Sequence, residues 1–308
     1  MRILITGASG FIGAALVRYM AATSHEVIAV YRGRHDRKSI HNVTNLNVED
    51  LTDIPNDILR TIDVVIHAAG FAHVNDQDSV AKEIFEVNVR QTCLLFDQCC
   101  VSDVNKVINI SSMAVYGDNA LLVDDLTEIS PTSLYGYSKL VSEQHLFGLS
   151  SRSDLEYTNL RPPLVYGQGA PGNYERVRLL MERVGWLPVP LPDCENSRTF
   201  LSVKGLCSAV EVCTTSSVTN GKSYIVADAR GISTYQFFNA IAGIVRARTI
   251  RVQLPEYVSS VFESVPVFRK LYKSMYSDLE VVTSKELTNC GYAPLDTLSE
   301  LDKLITRR

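Results

Sequence analysis

Thr6-Gly7-Ala8-Ser9-Gly10-Phe11-Ile12-Gly13 is the stretch from which the fold can be read. A short apolar run, Ile3 to Thr6, leads into it, and a helical pattern from Ile12 to Ala22 leads out. A strand that breaks into glycines just before a helix offers bare backbone and the positive end of a helix dipole, which is what a pyrophosphate needs. The glycines are spaced GxxGxxG. Such a run also fits an ordinary turn, but its place between the first strand and the first helix favours phosphate binding through Gly7, Ser9, Gly10, Phe11, Ile12 and Gly13.

Outward from this turn the chain keeps alternating. Strand-like runs at Val27 to Val30, Val64 to Ala68 and Val107 to Ile110 are interleaved with a helical pattern from Val80 to Cys100. That alternation predicts a parallel sheet with helices on both faces, and right-handed crossovers make it doubly wound. After about Arg161 the pattern changes to Pro- and Gly-rich loops, with a candidate strand at Ser223 to Ala227 and helices at Tyr235 to Ala247 and Tyr257 to Met275. The last is amphipathic, with Val258, Val261, Phe262 and Val265 among polar residues, and is read as packing on its own domain rather than on a membrane surface. The expected fold class is therefore α/β: a Rossmann-like doubly wound parallel sheet over residues 1–165 and a smaller C-terminal substrate-binding α/β part over 166–308, with the chain crossing between the two.

Composition narrows the function. A formal net charge of -4 on 308 residues, with charges scattered, gives no footprint for nucleic acid, so a small molecule is the expected partner. The seven cysteines form no CxxC pair and no Cys/His spacing for a metal, and read as reduced thiols. No run approaches the roughly 20 apolar residues of a membrane span, and the apolar run before Gly7 is too short for a signal peptide, so a cytoplasmic location is expected.

The end of the second strand, Val30-Tyr31-Arg32-Gly33-Arg34, carries no acid for a ribose 2′-hydroxyl. Arg32 or Arg34 would suit a 2′-phosphate, which favours NADP over NAD; the alternative is that both arginines are solvated loop residues. Farther on, Tyr135-Gly136-Tyr137-Ser138-Lys139 sets a phenol and an ammonium four residues apart, on one face if the run after Pro131 is helical. A neighbouring ammonium favours the phenolate, and a tyrosine with its ordinary pKa near ~10 needs that help to exchange protons with a sugar or alcohol hydroxyl. Ser112 ends a strand in Ile110-Ser111-Ser112-Met113-Ala114, at the carboxyl edge of the sheet where ligands bind. Ser112 would hydrogen-bond the substrate oxygen, Tyr135 would move its proton, and Lys139 would hold the cofactor ribose.

On these motifs the sequence resembles, over nearly its whole length, the extended short-chain dehydrogenase/reductase family, in its nucleotide-sugar epimerase/dehydratase branch. The family's TGxxGxxG falls on Thr6 to Gly13, its acid-hydrophobic pair at the adenine on Asp50-Leu51, and its His-Ala-Ala-Gly segment on His67, Ala68, Ala69 and Gly70. Asn88 and Thr92 match its Asn-Val-x-x-Thr helix, and Ser112, Tyr135 and Lys139 match its catalytic triad. Leu160 to Gly167 resembles the segment under the nicotinamide, which implies cofactor contacts from Pro162, Leu164 and Val165. Asn173 and Arg198 correspond to residues that meet the substrate diphosphate, and Gly291-Tyr292-Ala293-Pro294 also matches.

Departures narrow the reading. Sugar dehydratases of the branch carry an Asp-Glu pair where Met113 and Ala114 stand, which argues against a 4,6-dehydratase and leaves these two as substrate contacts. Leu164 replaces the more usual Asn, and Gly205 the usual Asp. Ala72-His73-Val74 and the Arg-Pro-Pro-Leu run resemble a subgroup handling UDP-linked N-acetylated or 6-deoxy sugars. The resemblance implies hydride chemistry at carbon 4 of a UDP-hexose or UDP-N-acetylhexosamine, by a 4-epimerase that keeps its NAD or a 4-keto reductase that exchanges NADPH. A non-catalytic NAD(P)-binding regulator or a dehydrogenase of a non-sugar alcohol are the alternatives, and the intact triad and the Asn173/Arg198 pair argue against them. A homodimer through the helices around Val80 to Cys100 and Leu134 to Leu149 is implied by resemblance. His73 and His145 read as packing residues without partners.

Overall fold

A computed structural model describes residues 1–33, 39–71, 78–117, 120–184, 187–253 and 277–306. The first half runs β1 (Arg2–Thr6), α1 (Phe11–Ala21), β2 (Glu26–Arg32), β3 (Val43–Val48), α2 (Asn56–Leu59), β4 (Val64–His67), then α3 (Asp78–Ile84), which passes through a π-helical turn (Phe85–Gln91) into α4 (Thr92–Val101). It continues with β5 (Lys106–Ile110), β6 (Leu122–Val123), α5 (Leu134–Ser150) and β7 (Glu156–Arg161). The second half holds β8 (Val165–Tyr166), α6 (Asn173–Val184), β9 (Val189–Pro192), β10 (Leu201–Ser202), α7 (Val203–Thr215), β11 (Lys222–Ile225), α8 (Thr234–Val245), β12 (Thr249–Val252) and β13 (Glu280–Val281), followed by helices Lys285–Asn289 and Thr297–Thr306.

Seven strands pair in parallel in the order β11-β7-β5-β4-β1-β2-β3. The order reverses between β1 and β4, so the crevice of this doubly wound sheet opens at the carboxyl ends of those two strands. Alternate strand residues serve opposite faces. Ile3, Ile5, Val27, Ala29, Ile66 and Ile108 pack with Leu16, Val17 and Met20 of α1 and Leu206 and Val210 of α7. Leu4, Ile28, Val30, Val65 and Val107 pack on the other side with Leu95 and Phe96 of α4 and Leu146 and Leu149 of α5.

A separate aromatic core belongs to the C-terminal part. Phe200 stacks on Phe237 at 4.2 Å, and Tyr166 meets both edge-on. The chain crosses back before this part is finished: α7 covers α1's face of the sheet and β11 adds its last strand. The strand expected at Ser223 to Ala227 therefore lies in the main sheet rather than in the C-terminal part. The helix read at Tyr257 to Met275 lies outside the described residues. Among the described residues no helix is long and apolar enough to cross a membrane.

Two strands of the sheet escape a hydrophobic reading. β3 is an edge strand whose Thr44, Asn45 and Asn47 are exposed, so it has no apolar signature. β7 is buried yet polar: Thr158 donates to the Thr219 carbonyl at 2.8 Å, and Asn159 bridges Asn109 and Ser223 at 3.0 Å each. Hydrogen bonds across the sheet satisfy side chains that sequence alone marks as loop.

Candidate active site

At the crevice the glycine turn is shaped by close approach. Gly7 has φ +68°, and a Cβ there would stand 2.7 Å from the Ala69 nitrogen; a Cβ on Gly13 would stand 2.1 Å from the Gly7 carbonyl oxygen. Backbone thus fills the space on the protein side, while Ser9 and Gly10 are exposed. Gly10 caps α1 with no side-chain hydrogen bond, so the first amides of the helix face the crevice uncapped by protein side chains. A turn this tightly packed on backbone, at an open helix N-terminus, fits a dinucleotide pyrophosphate.

The opposite wall is the Ala68-Ala69-Gly70 loop, held by two buried relays. The Ala69 amide donates to Thr6 Oγ1 at 3.3 Å, and Thr6 Oγ1 lies 2.9 Å from His67 Nδ1. His67 Nε2 lies 3.1 Å from Thr92 Oγ1, which donates to the Val87 carbonyl. With Thr92 spending its proton on Val87, His67 donates from Nε2 and accepts at Nδ1. It is neutral: burial, then the Lys139 charge, pushes its pKa down to about 3. Asn88, on the π-helical turn, accepts from the Phe71 amide at 2.8 Å and donates to the Phe71 carbonyl and to Ser138 Oγ. A wider helical turn at a ligand wall is where such turns recur.

Ser112 and Tyr135 arrive from β5 and α5. Ser112 caps a 3₁₀ turn, Met113–Tyr116, by accepting from the Ala114 amide at 3.1 Å, and its hydroxyl acts on the Tyr135 phenol, favouring the ionised form. Ser133 caps α5 through the Gly136 amide, so Tyr135 and Lys139 lie one turn apart on a helix. Lys139 is buried and donates to the Ile110 carbonyl at 3.1 Å; burial pulls its pKa down to about 8, against the opposing pull of Glu143. The expectation that its ammonium lowers the Tyr135 phenol is corrected here. Lys139 Nζ lies 6.0 Å from the Tyr135 ring centroid and is directed at Ile110, so burial dominates and raises the phenol, with the Ser112 hydroxyl pulling the other way.

The other predicted residues fall around this centre unevenly. Tyr31 is buried at the end of β2, whereas the exposed Arg32 lies over the Phe71 ring at 5.5 Å; Arg34 lies outside the described residues. Asp50 accepts from Thr52 and pairs with Arg90, so its carboxylate caps the turn that carries the buried Leu51. The Pro162 carbonyl accepts from the Met113 amide, Leu164 is exposed, and Val165 is half-buried in β8. Met113 and Ala114 are half-buried beside Ser112. Asn173 is the first residue of α6. Arg198 is half-buried and spends Nη1 on the Ser277 carbonyl and hydroxyl at 2.7 and 3.0 Å, while burial lowers its pKa. Ala72-His73-Val74 lies outside the described residues. His145 is not partnerless: its Nε2 lies 2.9 Å from Asp97, and His25 pairs likewise with Glu211. Among the described residues no cluster of His, Cys, Asp or Glu is arranged for a metal.

The sequence reading passed over Glu143 and Arg161. Glu143 stands four residues beyond Lys139, and Arg161 is the one charged residue of Asn159-Leu160-Arg161-Pro162-Pro163; buried at 4% and 9% exposure, they pair behind the site. The helical i, i+4 spacing was the available signal.

A doubly wound parallel sheet with a glycine turn at its switch point, and a Ser-Tyr-Lys set at its carboxyl edge, defines a dinucleotide-dependent enzyme of the short-chain dehydrogenase type. More particularly, the chain belongs to the NAD dependent epimerase/dehydratase family, whose model matches residues 3–227. UDP-glucose 4-epimerase of Vibrio cholerae is 27% identical over 97% of this chain and 92% of its own length. Among solved structures, MoeE5 in complex with UDP-glucuronic acid and NAD shares the fold at TM-score 0.77 and 22% identity, covering 100% and 99% of the two chains. UDP-glucuronic acid 4-epimerase from Bacillus cereus with NAD shares it at TM-score 0.75 and 19% identity, covering 99% of each.

Proposed function

We propose that this enzyme is a UDP-sugar 4-epimerase acting on a UDP-hexose or UDP-N-acetylhexosamine through a retained nicotinamide dinucleotide. The observation that carries the reading is the convergence of Ser112, at the start of its 3₁₀ turn, with Tyr135 and buried Lys139, one helical turn apart on α5, beside the Gly7/Gly70 crevice. The likeness to UDP-glucose 4-epimerase along almost the full chain supports the substrate class.

Gly7, Ser9, Gly10, Phe11, Ile12 and Gly13 hold the pyrophosphate, Asp50 and Leu51 border the adenine, and Ala68, Ala69, Gly70, Asn88, Pro162, Leu164 and Val165 line the rest of the dinucleotide path. A dinucleotide held by these residues would supply reversible hydride acceptance at carbon 4 of the sugar. Ser112 orients the carbon-4 oxygen, Tyr135 Oη takes its proton and gives it back, and Lys139 holds the ribose. Met113 and Ala114 shape the sugar pocket without supplying acid or base, and Asn173 and Arg198 take the diphosphate, for which Arg198 must share or release its hold on Ser277.

A second reading, an NADPH-dependent 4-keto-sugar reductase, is favoured by one observation: β2 ends in Tyr31-Arg32 and runs into Gly33, with no acid for a 2′-hydroxyl and an arginine over Phe71. The seven unpaired cysteines suit a reducing, cytoplasmic setting. Leu134, Tyr137 and Val141, exposed along one face of α5 beside exposed Phe85, support a homodimer across these helices. The test is to denature the purified protein and identify released dinucleotide by mass, then follow UDP-glucose, UDP-glucuronic acid and UDP-N-acetylglucosamine with and without NADH or NADPH. Retained NAD and interconversion of 4-epimers without net redox support the epimerase. Consumption of NADPH with a 4-keto substrate, and no epimerisation, replaces it with the reductase.

A further inference from the structure

Behind the Ser112–Tyr135–Lys139 centre lies a buried charged network that the proposed chemistry does not use. Arg161, the last residue of β7, donates from Nε to Glu143 Oε1 at 3.0 Å and from Nη2 to Oε2 at 2.5 Å, and from Nη1 to the Tyr116 hydroxyl at 2.8 Å. Glu143 is one turn beyond Lys139 on α5, and Tyr116 ends the 3₁₀ turn that Ser112 begins. The backbone on either side of Arg161 grips the same turn: Leu160 accepts from the Ser111 amide at 2.8 Å and Pro162 from the Met113 amide at 3.0 Å. One guanidinium thus joins the helix that carries Tyr135 and Lys139 to the segment that carries Ser112. A fully desolvated ion pair contributes little net stability when compared with an apolar pair of the same shape, so its placement here calls for another reason.

We propose that Arg161 is a positioning residue for the hydride-transfer centre: by taking both oxygens of Glu143 it keeps that carboxylate off Lys139, and through Tyr116 it locks the Ser112 turn against α5. Glu143 is the carboxylate that acts on the Lys139 charge. The other groups around Lys139 are Tyr135 on its own helix and neutral His67 on β4; Arg161 and Tyr157 on β7, and Tyr116 with Asp125 behind it, reach it through Glu143. With Arg161 removed, Glu143 keeps the Lys139 ammonium, one turn back on α5, as a cation that it acts on. The lysine would then be drawn away from the Ile110 carbonyl and held protonated to higher pH.

The inference rests on the reading that Lys139 serves the cofactor, and its test has two readouts. The first is the basic limb of kcat for UDP-sugar epimerisation. The second is the pH dependence of Lys139 acetylation by acetic anhydride on the folded protein, read by mass spectrometry on the peptide that contains Lys139 and independent of turnover. Arg161→Met moves both upward by about one pH unit or more, because an opposite charge at close range shifts a pKa by that order, and lowers kcat at least tenfold. Glu143→Gln, which keeps the shape and deletes the charge, moves both downward. Limbs that stay in place in both variants, or move in the same direction, overturn the proposal and leave a merely structural ion pair. Should Arg161→Met not fold, the sign of the Glu143→Gln shift decides alone. If the wild type turns over no UDP-sugar, the labelling still reads the network, and only the substrate assignment falls.

Discussion

Gly136, between Tyr135 and Tyr137, lets α5 touch the Ser112 turn. A Cβ on Gly136 would stand 2.4 Å from the Ala114 carbonyl oxygen, where ordinary contact begins at 3.4 Å, and 3.2 Å from Pro131 Cβ. Both neighbours are fixed backbone or ring, so Gly136→Ala must part helix and turn by about 1 Å. That displacement parts the helix that carries Tyr135 from the turn that Ser112 begins. Misplacing reacting groups by about 1 Å costs roughly 100-fold, or about 2.7 kcal/mol of barrier. Overpacking adds a loss of about 1–3 kcal/mol in folding stability. Gly148, on the same helix with no atom within 4 Å of its would-be Cβ, is the internal comparison. Gly148→Ala raises stability by up to about 1 kcal/mol through helix propensity and leaves kcat unchanged. The assay is kcat for epimerisation of UDP-glucose or UDP-glucuronic acid, alongside urea unfolding of each variant. A Gly136→Ala enzyme with wild-type kcat would refute the argument that this contact sets the Ser112–Tyr135 geometry.

Tyr135→Phe removes the hydroxyl that exchanges the proton and lowers kcat by about 10²–10⁴-fold with dinucleotide affinity retained; unchanged turnover, measured by epimer analysis of the UDP-sugar, sinks the role of the phenol. Asp228 is buried and accepts from Tyr166 at 2.8 Å and from Ser202 and Thr297 at 3.2 Å, yet burial pushes its pKa up from 3.8 to about 6. Because the folded value lies above the unfolded one, its contribution is full below pH 3.8 and fades as pH rises through about 6. Relative to Asp228→Asn, wild-type stability therefore drops by on the order of 3 kcal/mol between pH 4 and 7, read from urea midpoints across that range; a flat difference would contradict it. Val141→Glu places a charge on the exposed apolar face of α5 and shifts a homodimer to monomer in sedimentation velocity, with monomer already in the wild type as the outcome that refutes the interface.

Much of the first half of the sheet was legible in the chain. Ile3 to Thr6 followed by Gly7, Gly10 and Gly13 is a local pattern whose physics is local: bare backbone before a helix start. The Tyr135/Lys139 spacing is likewise set by one helical turn, and Ser112 by its place at a strand end. β3 and β7 were hidden because Asn45, Thr158 and Asn159 are polar, at an edge in one case and satisfied across the sheet in the other. The placement of β11 in the main sheet was not readable either, since the order of strands is a matter of which surfaces meet.

By itself the sequence determined the sheet's class, the glycine turn before the first helix, and the placing of Ser112 at a strand end and of Tyr135 and Lys139 on one helical turn, because each depends on neighbours within about one turn or strand. Only the tertiary structure decided the charges. Whether Lys139 lowers Tyr135 or is directed at Ile110, and whether Glu143 faces Lys139 or Arg161, turns on contacts between α5, β5 and β7 that lie 18 to 29 residues apart in the chain. Burial sets the size of those interactions, and burial is a property of the assembled layers rather than of any segment.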